Sequence, residues 1–412
     1  MASVSVAIDS IAAGGDGVGR SNGLVVFVPR TAPGDVVTAQ ISAKGHFARG
    51  ALRNIVSPSS VRIDPACPHY TRDNCGGCQL QHMTYESQLA AKQMIIRDSL
   101  QRIGKRIVDA PPIERSPKEW RYRTKLTLAM RRRGARWIAG LHPYDDASRI
   151  FPLSDCPITD RGVVATWREI MEADAYFPDA TELRGSVRIT DGGPTFVMMG
   201  GQSWAAREQF SAAVPSISAV WWEPADDKPR RLLYDKRQDR DPSASFAQVN
   251  AEMAEMLRSY VLDRARSYEP RTVIDAYAGA GHTAISLSEP GVRVTAIELD
   301  ADASEWSASR LADPSRAIRA RVEDALPGLL PADLVILNPP RAGVDSRVTA
   351  TLEAEAGHLR GVIYVSCNPA TLARDLSRLP SYRIESLHAF DMFPQTAHVE
   401  TVCELRPEGA AT

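Results

Sequence analysis

The rhythm of hydrophobic and polar positions changes twice along the chain. Over residues 1–62 short apolar runs alternate with turn residues: SVSVAID, GLVVFVP and DVVTAQIS predict strands, and AAGGDGVG, RTAPGD and AKGHFARG predict turns. Short strands with glycine-rich corners close most easily into a small β-barrel. Residues 63–240 mix two periods. In ESQLAAKQMIIRDSLQRIG the apolar Leu89, Met94, Ile95, Leu100 and Ile103 recur at helical spacing, and Gly104 offers a stop. YRTKLTLAMRRRGARWIAGL then predicts two strands around a basic turn. Over residues 241–412, TVIDAYAG, VRVTAIELD, ADLVILNPP, GVIYVSCNP and TVCELRP predict strands, and all but the last precede a helical or irregular stretch. The expected fold class is α/β: an N-terminal OB-like barrel, a central mixed α+β domain, and a C-terminal Rossmann-like domain.

The chain has 412 residues, too many for one hydrophobic core, so two or three domains are expected. A net charge of −1 gives no global sign of nucleic-acid binding, so a basic footprint must be local. One such run exists. Between Lys118 and Arg136 stand eight Lys or Arg residues against one acid, Glu119. Arg121, Arg123 and Lys125 alternate, which predicts one strand face, and Arg131, Arg132 and Arg133 follow in the turn. A solvated hairpin is the plain reading; a phosphate-contacting face suits an otherwise neutral chain better. No apolar run approaches the roughly 18 residues of a membrane span, and no basic stretch followed by an apolar core opens the chain. A cytoplasmic protein without a membrane partner is expected, and nothing demands more than a monomer.

VIDAYAGAGHTAISL predicts a strand, a glycine-rich turn and a helix start. Gly279 and Gly281 let the backbone approach a ligand. Glu298, at the end of the next apolar strand, is placed to accept hydrogen bonds from ribose hydroxyls. The turn lacks a third glycine and carries Asp275, which suits an anionic pyrophosphate poorly. S-adenosylmethionine, with a positive sulfonium and no phosphate, fits better, and Asp324 could accept from its adenine amine. Asn338, before two prolines in LVILNPPRAGVD, projects toward the same place. An aromatic after those prolines would suggest methylation of an exocyclic amine; Arg341 stands nearby instead.

Cys367 ends the strand beside Asn338. Free cysteine is often only a small buried hydrophobe. Next to a methyl donor it has a second use. C5 of a pyrimidine is too weak a nucleophile to take a methyl group, but a thiolate added to C6 turns C5 into an enolate-like carbon. A base must then remove the C5 proton, and FPQTAHVETVCEL offers His398 and Glu400.

These stretches resemble the RNA uridine-5-methyltransferases, which make 5-methyluridine in tRNA and 23S rRNA. The likeness covers nearly the whole chain: a TRAM-like domain over residues 1–62 (GDGVGRSNGLVVFVPRTAPGD), SFAQVN for the family's F-x-Q-x-N, YVSCNPATLARD for its nucleophile motif, and DMFPQTAHVETV for its base motif. The resemblance implies Cys367 as nucleophile and Glu400 as proton acceptor. It also implies donor binding by Gln248, Tyr277 and Glu298, with Asp324 near the adenine and Gly279 and Gly281 in the turn. Two positions depart. His282 stands where many members carry Asn, and Asn338 replaces the Asp of D-P-P-R. An Asn amide matches uracil, or flipped, cytosine. Cytosine-C5 or exocyclic-amine methylation, and an RNA-binding protein silenced by Asn338, therefore stay open at this point.

Cys67, Cys75, Cys78 and Cys156 form a separate set. Four thiolates, two of them in Cys-x2-Cys, indicate a metal site, and thiolate chemistry alone allows zinc or an iron–sulfur cluster. The resemblance implies [4Fe-4S], although the first spacing, seven residues, exceeds the five usual in the ribosomal-RNA branch.

Overall fold

The computed structural model describes residues 3–226, 229–238, 242 and 248–409. The first five strands, β1 (Ser3–Ile11), β2 (Gly17–Ser21), β3 (Leu24–Val28), β4 (Val36–Lys44) and β5 (Phe47–Ser57), form a closed barrel in the order β1-β2-β3-β5-β4. Alternation along the strands sends Val6, Ile8, Val26, Val28, Val37, Ala39 and Ala48 into its core.

After a short α1 (Pro68–Arg72), α2 (Tyr85–Arg102) joins the parts of the molecule. Ala91 and Ile95 pack with Ile11 and Ala32 of the barrel region and with Ala397. Ile96 and Leu100 on another side enter the C-terminal core. A two-residue strand, β6 (Ile113–Glu114), follows. The central sheet comprises β7 (Lys125–Arg133), β8 (Arg136–Leu141), β9 (Phe151–Pro152), β10 (Glu182–Thr190), β11 (Gly193–Met199), β12 (Ala219–Glu223) and β13 (Arg231–Asp235), in the order β13-β12-β11-β10-β7-β8-β9. Helices α3 (Arg161–Glu172) and α4 (Arg207–Ala213) lie along this part of the chain.

The C-terminal part begins with α5 (Ala251–Arg266), capped by Asn250, whose side chain accepts from the Met253 N–H at 3.4 Å. Strands β14 (Thr272–Ala276), β15 (Arg293–Glu298), β16 (Arg316–Arg319), β17 (Leu334–Leu337) and β18 (Gly361–Ser366) are mutually parallel. They alternate with helices α6 (His282–Leu287), α7 (Ala301–Ala308), α8 (Val322–Ala325), α9 (Ser346–Ala354) and α10 (Pro369–Leu376). The β19 strand (Tyr382–Phe390) and β20 (Glu400–Pro407) complete an eight-stranded sheet, β16-β15-β14-β17-β18-β20-β19-β6. Every residue of β17 and β18 is buried, as in a parallel sheet covered on both faces. β20 runs antiparallel to β18 and β19. The strand at the far edge, β6, comes from the central part of the chain, so the C-terminal sheet is not built from its own segment alone.

The expected one-faced row of Arg121, Arg123 and Lys125 is not formed. β7 begins only at Lys125, and Arg121 has a left-handed φ of 56°. Its guanidinium clamps Asp155 at 2.9 and 2.6 Å and donates to the carbonyls of Cys156 and Thr159. Backbone shape and a bidentate acid turn it inward, to hold the Cys156 loop.

Candidate active site

The carboxyl ends of β14, β15, β17 and β18 define the crevice where open α/β sheets bind ligands. After β14 the chain passes through Tyr277, Gly279 and Gly281 with φ of 60°, 57° and 74°. The non-glycine Tyr277 carries a conformation that costs energy and is concentrated at functional sites. A Cβ on Gly279 would meet nothing within 4 Å, so the turn is open on that side. Glu298 folds back over this turn: its carboxylate accepts from Gly279 N at 2.8 Å, Leu299 N at 2.7 Å and Asp300 N at 2.8 Å. Asp275 is buried behind the turn, and one of its carboxylate oxygens has no partner. Burial pushes its pKa up to about 7. His282 opens α6 and is exposed. Asp324 is exposed and paired with Arg347 at 2.8 Å. Asn338 follows β17, exposed, with its N–H bonded to Ala276 O at 3.1 Å. Glu298 thus ends β15, and Tyr277, Gly279, Gly281 and Asn338 lie on the loops that follow β14 and β17 at this crevice, while Gln248 bonds to Glu400. Of SFAQVN, residues 245–247 lie outside the described residues.

Cys367 and Glu400 sit at the ends of neighbouring strands. Cys367 directly follows β18, and Glu400 opens β20, where Thr401 pairs with Ser366. Asn368 caps α10 by accepting from Ala370 N at 3.1 Å and donates to Arg341 O at 3.3 Å, which fixes the turn carrying the thiol. The Cys367 thiol is half-buried, and burial, with the adjacent Glu400, holds its pKa up, while the Arg341 guanidinium pulls it down. Glu400 is 2% exposed. Burial pushes its carboxyl up to about 7, against a hydrogen bond from Gln248 and the charge of Arg341. His398 is held neutral by burial and by the cations Arg341, Lys92 and Arg123, which take it down to about 4. Between these two, Glu400 is the better proton acceptor near neutral pH. Sequence reasoning gave Arg341 no role; its position two residues past the Asn-Pro pair was the available signal.

The four remaining candidate ligands, Cys67, Cys75, Cys78 and Cys156, line one cavity of about 140 Å³, and none is in a disulfide. Burial raises the thiol pKa at Cys67 and, to about 11, at Cys75. Among the described residues no three His, Cys, Asp or Glu side chains are gathered closely enough to hold a metal ion. Of the basic residues, Arg131 pairs with Glu182 at 3.0 Å and Arg132 with Asp179 at 3.6 Å, while Arg133 is exposed. Arg123 donates to the carbonyl of Lys125 at 2.9 Å, and Lys125 faces Arg188 across the β7–β10 pair. Burial and the cations Arg188, Arg123 and Arg230 push Lys125 down to about 8. Among the described residues no helix is long and apolar enough to cross a membrane.

Residues 319–406 match the model of the tRNA (uracil-5-)-methyltransferase family. An uncharacterized RNA methyltransferase of Protochlamydia amoebophila is 31% identical, over 97% of this chain and 96% of its own. One from Gloeobacter violaceus is 32% identical, over 98% and 96%. The crystal structure of Pyrococcus abyssi tRNA (uracil-54, C5)-methyltransferase in complex with S-adenosyl-L-homocysteine superimposes with a TM-score of 0.70 at 23% identity, covering 98% of this chain and 100% of that one; the fold is shared.

Proposed function

Because the chain belongs to the S-adenosylmethionine-dependent RNA uracil-5-methyltransferases, we propose that it methylates C5 of a uridine in tRNA or 23S rRNA through a covalent bond between Cys367 and C6. The observation that carries this reading is that Cys367, just past the end of β18, and Glu400, at the start of the antiparallel β20, lie at adjoining strand ends. The methyl donor supplies an electrophilic carbon there. Gly279, Gly281, Glu298, Tyr277 and Gln248 are the residues suited to hold it, since a left-handed turn open at Gly279 and a facing carboxylate match a ribose and a sulfonium. Burial and Glu400 hold the Cys367 thiol up and Arg341 opposes them; as the thiolate, Cys367 adds to C6 of a base swung out of its stack. The electron pair moves to C5, which takes the methyl group. Glu400 then removes the C5 proton, the C5–C6 double bond re-forms, and the thiolate leaves.

Mixing the protein with S-adenosylmethionine and tRNA or 23S rRNA fragments transcribed with 5-fluorouridine tests this. Fluorine cannot leave C5 as a proton does, so an adduct resistant to denaturing gel should form. Its absence from both RNAs would sink the covalent mechanism; methylated cytidine or adenosine in the product would move the reaction to another base.

The RNA backbone is served by Lys125 and Arg123 rather than by the whole basic run. Like charges crowded together in a half-buried place are relieved by an anion, and a phosphate is the anion an RNA brings. Replacing Lys125 by alanine should weaken RNA binding and flatten the plot of log affinity against log salt by about 0.7–0.9, leaving donor binding unchanged. An unaltered slope, measured by titration at several salt concentrations, removes Lys125 from the interface.

Cys67, Cys75, Cys78 and Cys156 would hold a [4Fe-4S] cluster. They line one cavity, and four thiolates facing a shared space are the ligand set of such a cluster. Protein purified anaerobically should carry iron and acid-labile sulfide and lose both in Cys78→Ser. Stoichiometric zinc instead would overturn this assignment.

A further inference from the structure

The loop that leads to Glu400 makes most of its hydrogen bonds to other parts of the molecule. Gln395 has a left-handed φ of 70° and is 2% exposed. Its carbonyl accepts from the N–H groups of Gln79 and Leu80 at 3.2 and 3.0 Å. Its side chain accepts from Gln88 Nε2 at 3.0 Å, and its N–H donates to Gln88 Oε1 at 2.9 Å. Tyr122 Oη donates to Pro394 O at 3.0 Å. Upstream, Lys92 pairs with Asp391 and donates to Phe393 O at 3.0 Å. Nearest to the base, Ala397 N donates to Gln79 Oε1 at 3.3 Å, while Gln79 Nε2 is itself anchored on Gly76 O at 3.0 Å. The loop that bears Cys75 and Cys78 is therefore stitched directly to the loop that ends at Glu400.

We propose that Gln79 is a positioning residue for Glu400, holding the Ala397–Glu400 segment so that the carboxylate reaches the C5 proton of the methylated intermediate. The inference rests on the covalent mechanism proposed above. A buried left-handed residue persists only where its surroundings over-determine it; here the backbone N–H groups of Gln79 and Leu80 and the side chain of Gln88 fix Gln395, and the Gln79 side chain extends that hold to Ala397. The hydrogen bonds of the Gln79 side chain go to Gly76 and Ala397, so its effect is expected to fall on one step. Thiolate addition and methyl transfer depend on Cys367 and the donor site; proton removal depends on Glu400.

Single-turnover kinetics with ordinary uridine RNA separate these steps. Gln79→Met keeps most of the side-chain volume and removes the acceptor for Ala397. It should form the adduct within about twofold of the wild-type rate and release it about tenfold more slowly, so that methylated, covalently bound RNA accumulates on a denaturing gel. Gln79→Glu retains the acceptor and should release at close to the wild-type rate. Gln88→Met, which removes the paired bonds to Gln395, gives a second test and should accumulate the same adduct. Wild-type release by both Met variants, or equal slowing of formation and release, would overturn the positioning role. A wild-type protein that forms no adduct with 5-fluorouridine RNA would overturn the covalent mechanism itself.

Discussion

Glu400→Gln should stop the reaction after methyl transfer and leave the protein covalently attached to ordinary uridine RNA. The amide fills the same buried space at the start of β20 and keeps polar atoms facing Gln248, but it cannot accept the C5 proton. Loss of a positioned general base costs roughly 10²–10⁴-fold, so adduct release should fall by that factor while adduct formation changes little. The pH dependence gives an independent check. Burial raises the Glu400 carboxyl from 4.5 to about 7, so the basic form accumulates as pH rises through neutrality. Release by the wild type should therefore accelerate between about pH 6 and 8 and then level off, while the residual release of the Gln variant should lack this rise. Stability follows with the opposite sign. The folded-state pKa lies above the unfolded value, so the stabilisation attached to the neutral carboxyl is complete below about 4.5 and is lost as pH rises through about 7. Urea melts should show that loss diminished in Glu400→Gln. A variant that turns over normally would remove Glu400 from the reaction.

Cys367→Ala should abolish methyl transfer rather than slow it. Without the C6 adduct, C5 of uracil has no electron pair to offer a methyl group, and Cys403, the thiol of the neighbouring strand, is fully buried in the core. A loss of roughly 10⁴–10⁶-fold is expected for a deleted nucleophile, with RNA and donor affinity kept. Tritium release from 5-³H-uridine RNA reports it directly, because exchange at C5 requires the same adduct. Measurable transfer by the alanine variant would mean that the methyl group goes to an atom already nucleophilic, such as an exocyclic amine.

The C-terminal sheet was readable because β17 and β18 are buried throughout and so appear as unbroken apolar runs. The barrel strands and the long α2 were readable from their periods. Cys367 and Glu400 stood out because each adjoins a recognisable strand. What escaped was whatever depends on a partner far along the chain. Arg121 reads as one of a row of exposed cations until Asp155, in a distant loop, is seen to take its guanidinium. Arg131 and Arg132 lose part of their free charge to Glu182 and Asp179 on the same principle. The two-residue β6 carries too little pattern to announce a strand, and its pairing with β19 joins segments nearly three hundred residues apart. Arg341 was visible as a letter, but its influence on Cys367, Glu400 and His398 at once is a property of the folded crevice.

Gly15 packs the barrel against the loop that ends at Glu400. Its φ is 89°, and a Cβ there would lie 2.5 Å from Gln79 Cβ and 3.3 Å from Ala397 Cβ. The tip of this turn is wedged against both partners of the Gln79–Ala397 hydrogen bond. The barrel is therefore a poor candidate for exchange as a detachable RNA-binding module. A graft from a relative with any side chain at this position would displace Gln79 or Ala397. Under the positioning role proposed for Gln79, the expected fault of such a chimera is slow release of bound RNA, which affinity measurements alone would miss.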